Sequence, residues 1–446
     1  MKKYLLNTEK NNINNLINIL NTSLYRPISP KTQETFISLI RNNKDSNIED
    51  TLNNFLNLLI DEMYPILTSN TTKGIQFGIK NKVFQIEAFG GTYNKETPIK
   101  KDTLFSLDSI SKIITSIIVI KNITKGNFKL NTKINELNNN YNLDATIESI
   151  LKFTACIRTE KRIDNLSKEE TIKILKNCRE ILTIKNNYKN FFEYNDIGYM
   201  ILRNIIPNFL NDANNILKNT NITYNPNKYN TTGGKINEEY ITQDPKGRNI
   251  IFPGHTGLYS NITNLLNFFY KLINTEEILT KKELNALLDQ PYSYPYCLNN
   301  QTQEEKCITK TSGMYIAPKN LKDNYNKLRI SDMPDTSTKH SIASAGTGGS
   351  WIMFDNLKTN NKFDTYTTGI LTNPYSYVEN KTYPFDINDL ENTNLKVSYK
   401  GKIIHYSRQL NPYKIIMTNY AIILELLTEY LKINESGKKI LTKKII

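Results

Sequence analysis

The chain has 446 residues, which is enough to bury a large core and suggests two or three domains or subdomains. Lysine and arginine outnumber aspartate and glutamate by 57 to 43, which gives a formal net charge of +14. Such a charge suits nucleic acid or an anionic surface, but the lysines are scattered among asparagines and form no run. We therefore expect a solvated lysine-rich surface and no nucleic-acid partner, with polyanion binding as the alternative.

Targeting signals and metal-binding patterns are also missing from the sequence. The N-terminal segment has lysines but no unbroken apolar stretch, so it is a poor signal peptide and we expect a cytoplasmic location. No segment approaches the apolar length of a membrane span. The histidines are only three, namely His255, His340 and His405, so we expect no histidine metal site.

The first part of the chain predicts an extension, a helix and a hairpin. A polar N-terminal extension covers residues 1–47. A capping box at 46–49 then precedes an apolar stripe over 52–63, which predicts a packed helix. Apolar residues alternate along 75–79, and the chain returns along 83–89, which predicts a β-hairpin.

The segment 102–137, DTLFSLDSISKIITSIIVIKNITKGNFKLNTKINEL, carries the strongest sign of chemistry. Ser109 and Lys112 form an S-x-x-K pair at the opening of a predicted helix, where residues three apart share a face. A desolvated lysine can lose its proton and serve as the base for a serine nucleophile, and N–H groups at a helix start favour an oxyanion. The helix is predicted from apolar residues at helical spacing: Ile110, Ile113, Ile114, Ile117 and Ile118.

The S-x-x-K motif alone is weak evidence, because it also occurs from Ser149 to Lys152 and from Ser436 to Lys439. Only the copy at Ser109 has informative surroundings. The phrases D-T-L-F-S-L-D-S-I-S-K and K-G-N-F-K-L-N-T-K-I-N-E-L resemble the "pdTlF.iaSvtK" and "eGkl.LdDpv" segments of one family. It is the family of serine β-lactamases and penicillin-binding-protein-like hydrolases, which includes class C β-lactamase-like esterases and peptidases.

The region after the central helix continues this resemblance. Residues 146–151 resemble the family's "tirdLLtHtSGl", although residues 153–156, Phe-Thr-Ala-Cys, replace its polar H-T-S-G portion. This departure falls on a supporting segment rather than on the catalytic groups. Residues 167–186 are predicted to be helical.

A tyrosine motif follows, in which FFEYNDIGYMILRNII resembles "f.YsNtgy.lLg.iie". The match aligns Tyr194 with the tyrosine of the family's Y-x-N motif and Asp196 with its asparagine. It implies that Tyr194 exchanges a proton with Ser109 or with the leaving group. A carboxylate at Asp196 near Lys112 would favour the charged ammonium and make that lysine a poorer base. The intact Y-x-N at 188–190 lacks the family's continuation, and a core aromatic is the structural alternative for Tyr194.

The third family motif has two possible positions in the sequence. Residues 255–257 spell H-T-G, but the sequence after them resembles a loop and helix outside the catalytic centre, so we interpret His255 as structural. The glycine-rich segment 343–355 resembles "fgHtGftGtsl.iDp" instead, and we prefer this position.

Within that segment, Gly346 stands where the family usually has His or Lys, and Thr347 follows it. The match implies that the Gly349 N–H supplies half of an oxyanion hole. The missing cation at Gly346 weakens any claim to binding a substrate carboxylate. A structural glycine-rich turn before an edge strand is the alternative.

The remainder of the chain comprises a Tyr- and Asn-rich insertion at 374–411, a strand at 413–417, a helix around 421–431 and a basic tail at 434–446.

The resemblance covers residues 48–433 and implies one α/β (α+β) catalytic domain. Its β-lactamase/transpeptidase-like fold has an antiparallel sheet flanked by helices and an inserted helical subdomain. The α/β part would span about 48–105 and 310–433, and the helical part about 106–309.

The implied function is acyl transfer by a serine hydrolase on a small ester, amide or peptide, with no metal or organic cofactor. Ser109 would attack, Lys112 and Tyr194 would manage the proton, and N–H groups of Ser109 and Gly349 would hold the oxyanion. The alternative is a catalytically weak or inactive scaffold or binding protein, which the departures at Asp196 and Gly346 favour.

Overall fold

The structure, a computed structural model, describes the chain in separate ranges. These are 74–82, 85–94, 97–181, 194–226, 234–236, 239–241, 244, 246–247, 249–288, 292–297, 305–311, 314–316, 342–346, 350–359, 362–373, 396–399 and 402–405. The predicted N-terminal extension and helix, the intact Y-x-N at 188–190, and the C-terminal strand, helix and tail lie outside the described ranges.

The helices of the described ranges lie between residues 111 and 288. They are α1 Ser111–Thr124, α2 Ile134–Leu137, α3 Ile147–Leu151, α4 Lys168–Lys176, α5 Asp196–Ile205, α6 Phe209–Leu217, α7 Ile262–Asn274 and α8 Lys281–Leu288.

The strands lie mostly before and after this helical region. They are β1 Gly74–Lys80, β2 Gln85–Gly90, β3 Thr92–Asn94, β4 Thr97–Pro98, β5 Phe105–Ser106, β6 Ile157–Arg158, β7 Arg179–Glu180, β8 Gly234–Ile236, β9 Glu239–Ile241, β10 Tyr259–Ser260, β11 Tyr292–Cys297, β12 Glu305–Thr311, β13 Met314–Ile316, β14 Ile342–Ala345, β15 Trp351–Thr359, β16 Lys362–Asn373, β17 Lys396–Tyr399 and β18 Lys402–His405.

Helix starts follow the capping residues of the sequence. Asn195 precedes α5, and its side-chain oxygen accepts a hydrogen bond from the Ile197 N–H at 2.8 Å. Asn261 precedes α7 and accepts from the Asn264 N–H at 2.9 Å in the same way. Each cap satisfies an N–H that the helix itself leaves without a partner, which fixes where the helix begins.

An eight-stranded antiparallel sheet has the order β11-β12-β13-β14-β15-β16-β1-β2. The predicted hairpin is confirmed, with Ile79 of β1 opposite Ile86 of β2. The chain leaves this sheet after β2 and returns to it at β11, and the described helices lie between these two points. The α/β fold class, with helices flanking an antiparallel sheet, is thus confirmed. No helix of the described residues is long and apolar enough to cross a bilayer.

Helix α7 packs directly on the sheet, against the neighbouring strands β16 and β1. Gly369 of β16 permits this close approach, because a β-carbon there would lie 2.7 Å from Cδ1 of Ile262. The sheet also reaches β5, since the Ser350 hydroxyl donates to the carbonyl of Ser106 at 3.1 Å. These contacts fix the position of the segment that leads into α1.

Helix α1 lies at the centre of the core and contacts α5, α6 and α8. All its residues from Ser111 to Ile120 are buried, so the core encloses this helix on most sides. Its isoleucines join one hydrophobic cluster that runs through the described helices. The helix is therefore held mainly by apolar burial from several directions.

The predicted helix over 167–186 is wrong for residues 177–181, and residues 182–186 lie outside the described ranges. Helix α4 ends at Lys176, and β7 then pairs with β6. The Ile181 N–H donates to the Cys156 carbonyl at 3.0 Å and extends this pairing. Backbone hydrogen bonds to a distant strand outweigh the local helical preference here, and sequence spacing gives no sign of such a partner.

We expect Ile117→Ala to lower the free energy of unfolding by about 2–5 kcal/mol, because it leaves a cavity at a fully buried position of α1. Thr124→Ala, at the exposed end of the same helix, should change it by less than about 0.5 kcal/mol. Urea unfolding followed by circular dichroism measures both. Equal effects of the two substitutions would contradict the central position of α1.

Candidate active site

Ser109 lies in a single 3-10 turn, Asp108–Ile110, that leads into α1, and not in the α-helix itself. Asp108 adopts φ = 45°, a backbone conformation that non-glycine residues rarely adopt. Its carboxylate accepts a hydrogen bond from the Ser106 hydroxyl at 2.6 Å. The Leu107 N–H donates to the carbonyl of Leu258 at 2.8 Å. Strand pairing and side-chain bonding thus hold the turn that presents Ser109.

Ser109, Lys112 and Tyr194 form a closed triangle of hydrogen bonds. Lys112 Nζ donates to Ser109 Oγ at 3.0 Å and to Tyr194 Oη at 2.6 Å. The Tyr194 hydroxyl donates to Ser109 Oγ at 2.6 Å. Ser109 is 8% exposed and Lys112 is 1% exposed, so the serine oxygen lies at the edge of a buried polar cluster.

Tyr194 enters the site just before α5, and aromatic stacking orients it. Its ring is stacked on Phe153 at a centroid distance of 5.0 Å, and Phe153 is stacked in turn on Tyr199 at 5.4 Å. Phe153 has φ = 59°, so the backbone of the segment that replaces H-T-S-G is strained to hold this ring. Sequence reasoning treated that segment only as support and missed its contact with Tyr194.

The hydroxyl of Tyr194 faces the site, although the residue as a whole is 41% exposed. Burial, followed by the negative charge of Asp196, raises the pKa of the Tyr194 phenol well above its usual range. The hydrogen bond with Ser109 acts in the opposite direction but is weaker. The phenol is therefore neutral at physiological pH, and a standing tyrosinate is disfavoured.

Asp196, at the start of α5, lies between two lysines. Its Oδ1 is 2.7 Å from Lys112 Nζ, and its Oδ2 is 2.6 Å from Lys246 Nζ. Burial alone would raise the pKa of Asp196, but the charges of Lys112, His255 and Lys246 outweigh burial and hold that pKa well below its usual range. Asp196 is thus a charged carboxylate in contact with Lys112, as the alignment with Y-x-N predicted.

The interpretation of His255 as structural stays a prediction, but the structure places its loop next to Lys112. His255 is fully buried, and its backbone carbonyl lies 3.4 Å from Lys112 Nζ, which donates to it. Its Nε2 is 3.4 Å from Oδ2 of Asp244. The pairing of β10 with β5 brings this loop beside the turn of Ser109, because Tyr259 lies opposite Ser106.

Lys246 and Asp244 are the residues that sequence analysis did not single out. They follow Asp196 by about fifty positions, in a loop whose sequence matches no motif. No spacing rule places them near Lys112, so only the tertiary structure identifies them.

One group of side chains among the described residues approaches the geometry of a metal site. The ligand atoms of Asp196, Asp244 and His255 lie within 4.8 Å of one another. Both oxygens of Asp196, however, already meet the ammonium groups of Lys112 and Lys246. The positive charge that these carboxylates require is therefore supplied by lysine side chains.

Gly346 directly follows β14 and lies beside the turn of Ser109. A β-carbon at Gly346 would lie 2.7 Å from the carbonyl oxygen of Leu107 and 3.0 Å from Cβ of Asp108. The backbone N–H of Gly346 donates to the Ser350 carbonyl at 2.7 Å. Any side chain at position 346 would clash with the backbone of Leu107, which explains why neither His nor Lys occupies this position. Thr347 and Gly349 lie outside the described residues.

No family profile matches the sequence, and no curated protein matches it. Solved structures of similar fold include an octameric penicillin-binding protein homologue from Pyrococcus abyssi, at 16% identity and a TM-score of 0.48, covering 70% of this chain and 71% of that one. They also include a penicillin-binding protein from Bacillus halodurans, at 14% identity and a TM-score of 0.43, covering 67% and 91%.

A β-lactamase from Mycobacterium bovis is similar at 11% identity and a TM-score of 0.44, covering 68% of this chain and 88% of that one. These likenesses concern the fold and say nothing of activity.

We expect side chains at position 346 to destabilise the protein in order of size. Gly346→Ala should lower the free energy of unfolding by about 1–3 kcal/mol, because the new methyl group overlaps the Leu107 carbonyl, and Gly346→Lys should lower it more. Urea unfolding measures both effects. If Gly346→Lys were as stable as the unmodified chain, the loop could move aside and admit a cation at this position.

Proposed function

We propose that this chain is a serine hydrolase that acts on a small ester, amide or peptide through a covalent acyl-enzyme. The observation that carries the proposal is the hydrogen-bonded triangle of Ser109, Lys112 and Tyr194. Tyr194 is 85 residues from Ser109 in the sequence, yet their oxygens lie 2.6 Å apart. A hydroxyl, an amine and a phenol in mutual contact form the arrangement that an activated serine nucleophile requires.

In the proposed first step, Ser109 Oγ attacks the substrate carbonyl carbon and forms a new C–O bond. The Ser109 proton passes to Lys112, directly or through the Tyr194 hydroxyl. The tetrahedral intermediate then collapses, the bond to the leaving group breaks, and the leaving group takes that proton. Water attacks the acyl-enzyme in the second step, gives its proton to the same groups, and releases the acid product and free Ser109.

The hydrogen-bond partners of Lys112 present an obstacle to its proposed role as the base. Its Nζ has four oxygen neighbours, from Ser109, Tyr194, Asp196 and His255, whereas an ammonium group has only three protons to donate. One of these neighbours is the carboxylate of Asp196, yet a base must be neutral before it can accept a proton. The Tyr194 phenol stays neutral, because its pKa is raised well above the usual range. We therefore assign Tyr194 the role of a proton relay rather than of a base.

The substrate class follows from the surroundings of Ser109. Gly346 leaves no room for a side-chain cation beside the nucleophile turn, and Lys246 is already paired with Asp196. An anionic group on the substrate would thus find no unpaired cation among these residues. This supports a neutral ester or amide, or a peptide bond away from a free carboxyl terminus, as the substrate.

We expect a fluorophosphonate probe to label Ser109 and no other serine, because this S-x-x-K pair has a phenol, Tyr194, within hydrogen-bond distance of both its members. Peptide mapping by mass spectrometry identifies the modified residue. Ser109→Ala should abolish labelling. Ser149→Ala should retain it, since the Ser149 side chain is engaged in the capping box of α3 with Thr146.

Labelling that persists in Ser109→Ala would refute the assignment of the nucleophile. A folded protein that no acylating probe labels would instead favour the inactive scaffold, whose support is the charged pair of Lys112 and Asp196.

We expect Asp196→Asn to move the pH dependence of Ser109 labelling to lower pH. The lowered pKa of Asp196 keeps this carboxylate charged throughout the working range, so the substitution removes a negative charge that stabilises the ammonium form of Lys112. The neutral amine is then reached at lower pH, and labelling near neutrality should rise by about tenfold for each pH unit of the shift.

The matched control is Asp212→Asn, which removes the partner of Lys125 at the far end of α1 and should leave the profile unchanged. Slower labelling of Asp196→Asn at every pH would mean that Asp196 itself serves as the base. An unchanged profile would mean that Asp196 does not control Lys112.

A further inference from the structure

The contacts behind Lys112 close into a ring of five residues. Lys112 meets Asp196 at 2.7 Å, and Asp196 meets Lys246 at 2.6 Å. The backbone N–H of Lys246 donates to Asp244 Oδ1 at 2.9 Å. Asp244 Oδ2 lies 3.4 Å from His255 Nε2, and the His255 carbonyl accepts from Lys112 at 3.4 Å. The ring joins α1, the start of α5 and the loop that precedes β10.

Each oxygen of Asp196 has its own lysine. Asp244 fixes the turn that carries Lys246, because its side chain accepts a hydrogen bond from the Lys246 backbone N–H. A partly buried acidic residue thus holds Lys246 in place, although the Lys246 side chain is 39% exposed.

The position of Lys246 has a direct electrostatic consequence for Lys112. With Lys112 as its sole partner, Asp196 would hold that lysine in the ammonium form. Lys246 occupies the second carboxylate oxygen and also repels a positive charge on Lys112. Burial lowers the pKa of Lys246, but the charge of Asp196 and the hydrogen bond with it, followed by the charge of Asp244, outweigh burial and raise that pKa. Lys246 therefore stays charged.

We propose that Lys246 is a positioning residue that neutralises Asp196 and so lets Lys112 give up its proton. This inference rests on the proposed function, because the proton matters only if Lys112 serves Ser109. In the proposed role, Lys246 touches no reacting atom and acts through Asp196. It also provides a reason why a carboxylate is tolerated where the family has asparagine.

Several other groups face Lys112 and must be held constant in a test. They are the Ser109 and Tyr194 hydroxyls, the Tyr199 ring at 5.8 Å, the Asp196 carboxylate and the His255 carbonyl, with the charges of Asp108 and Asp244 acting on the neighbouring Tyr194. Substitution at Lys246 removes none of them. A change in Lys112 then reports on the Lys246 charge alone.

The test follows the charge of Lys112 by NMR in the full chain carrying carbon-13-labelled lysine, with the Lys112 signal assigned from Lys112→Arg. We expect Lys246→Met to raise the pH at which Lys112 loses its proton by about one unit. Lys246→Arg keeps the charge and should restore the original value. Lys125→Met, which removes a lysine paired with Asp212 just after the end of α1, should change nothing.

Asp196→Asn should lower the pH at which Lys112 loses its proton, whereas Lys246→Met should raise it. A purely structural role of Lys246 would not produce these opposite shifts. If Lys246→Met fails to fold, Lys246→Gln carries the same expectation, because its amide can still donate to Asp196. A shift in Lys246→Met no larger than in Lys125→Met would overturn the proposal, as would shifts of Lys246→Met and Asp196→Asn in the same direction.

The NMR titration separates this proposal from the proposed function. If Lys112 responds to Lys246→Met while no probe labels Ser109, the electrostatic role of Lys246 stands and the hydrolase function fails. If a probe labels Ser109 while the Lys112 titration does not respond to Lys246→Met, the function stands and the role of Lys246 fails.

Discussion

The burial of one positive charge organises this protein. Lys112 is 1% exposed inside the central helix, where an unpaired ammonium group would cost several kcal/mol. The chain offsets this cost with oxygens from Ser109, Tyr194, Asp196 and His255, which come from three separate segments. The same contacts that make the buried charge tolerable therefore bring the groups of the candidate site together.

The apolar surroundings of α1 and the contacts at its polar start together fix the positions of Ser109 and Lys112. Isoleucines on all sides of α1 fix the helix within the core, so the lysine near its start cannot swing out to solvent. Gly346 and the strained Asp108 then bring the end of strand β14 against the turn of Ser109. A rigid helix, the end of a sheet strand and a loop meet at the serine, which is the preorganisation that a nucleophile needs.

The replacement of the resembled family's asparagine by Asp196 can be explained together with the position of Lys246. Asp196 adds a negative charge beside Lys112, and Lys246 adds a positive charge on its other oxygen. In the proposed mechanism, the ease with which Lys112 releases its proton therefore depends on Lys246, which touches no reacting atom. Solvent screens the charges of Lys112 and Asp196, which are nearly buried, less than the charge of Lys246, whose side chain is 39% exposed.

Local patterns in the sequence determined the parts of this structure that depend on neighbours along the chain. Alternating residues predicted the β1–β2 hairpin, isoleucines at helical spacing predicted α1, and the S-x-x-K spacing predicted that Ser109 and Lys112 are in contact. The predicted helix over 167–186 failed where a distant strand competed for its backbone.

The resemblance in motif order predicted Tyr194 and Asp196 as neighbours of Lys112, and both lie there. The position of Lys246 and the inward position of His255 were decided by tertiary structure alone. Their loop follows Asp196 by about fifty residues and carries no motif that points to Lys112. The contacts of a buried charge depend on which groups lie near it in space. The packing of segments that are far apart in the sequence decides which groups those are.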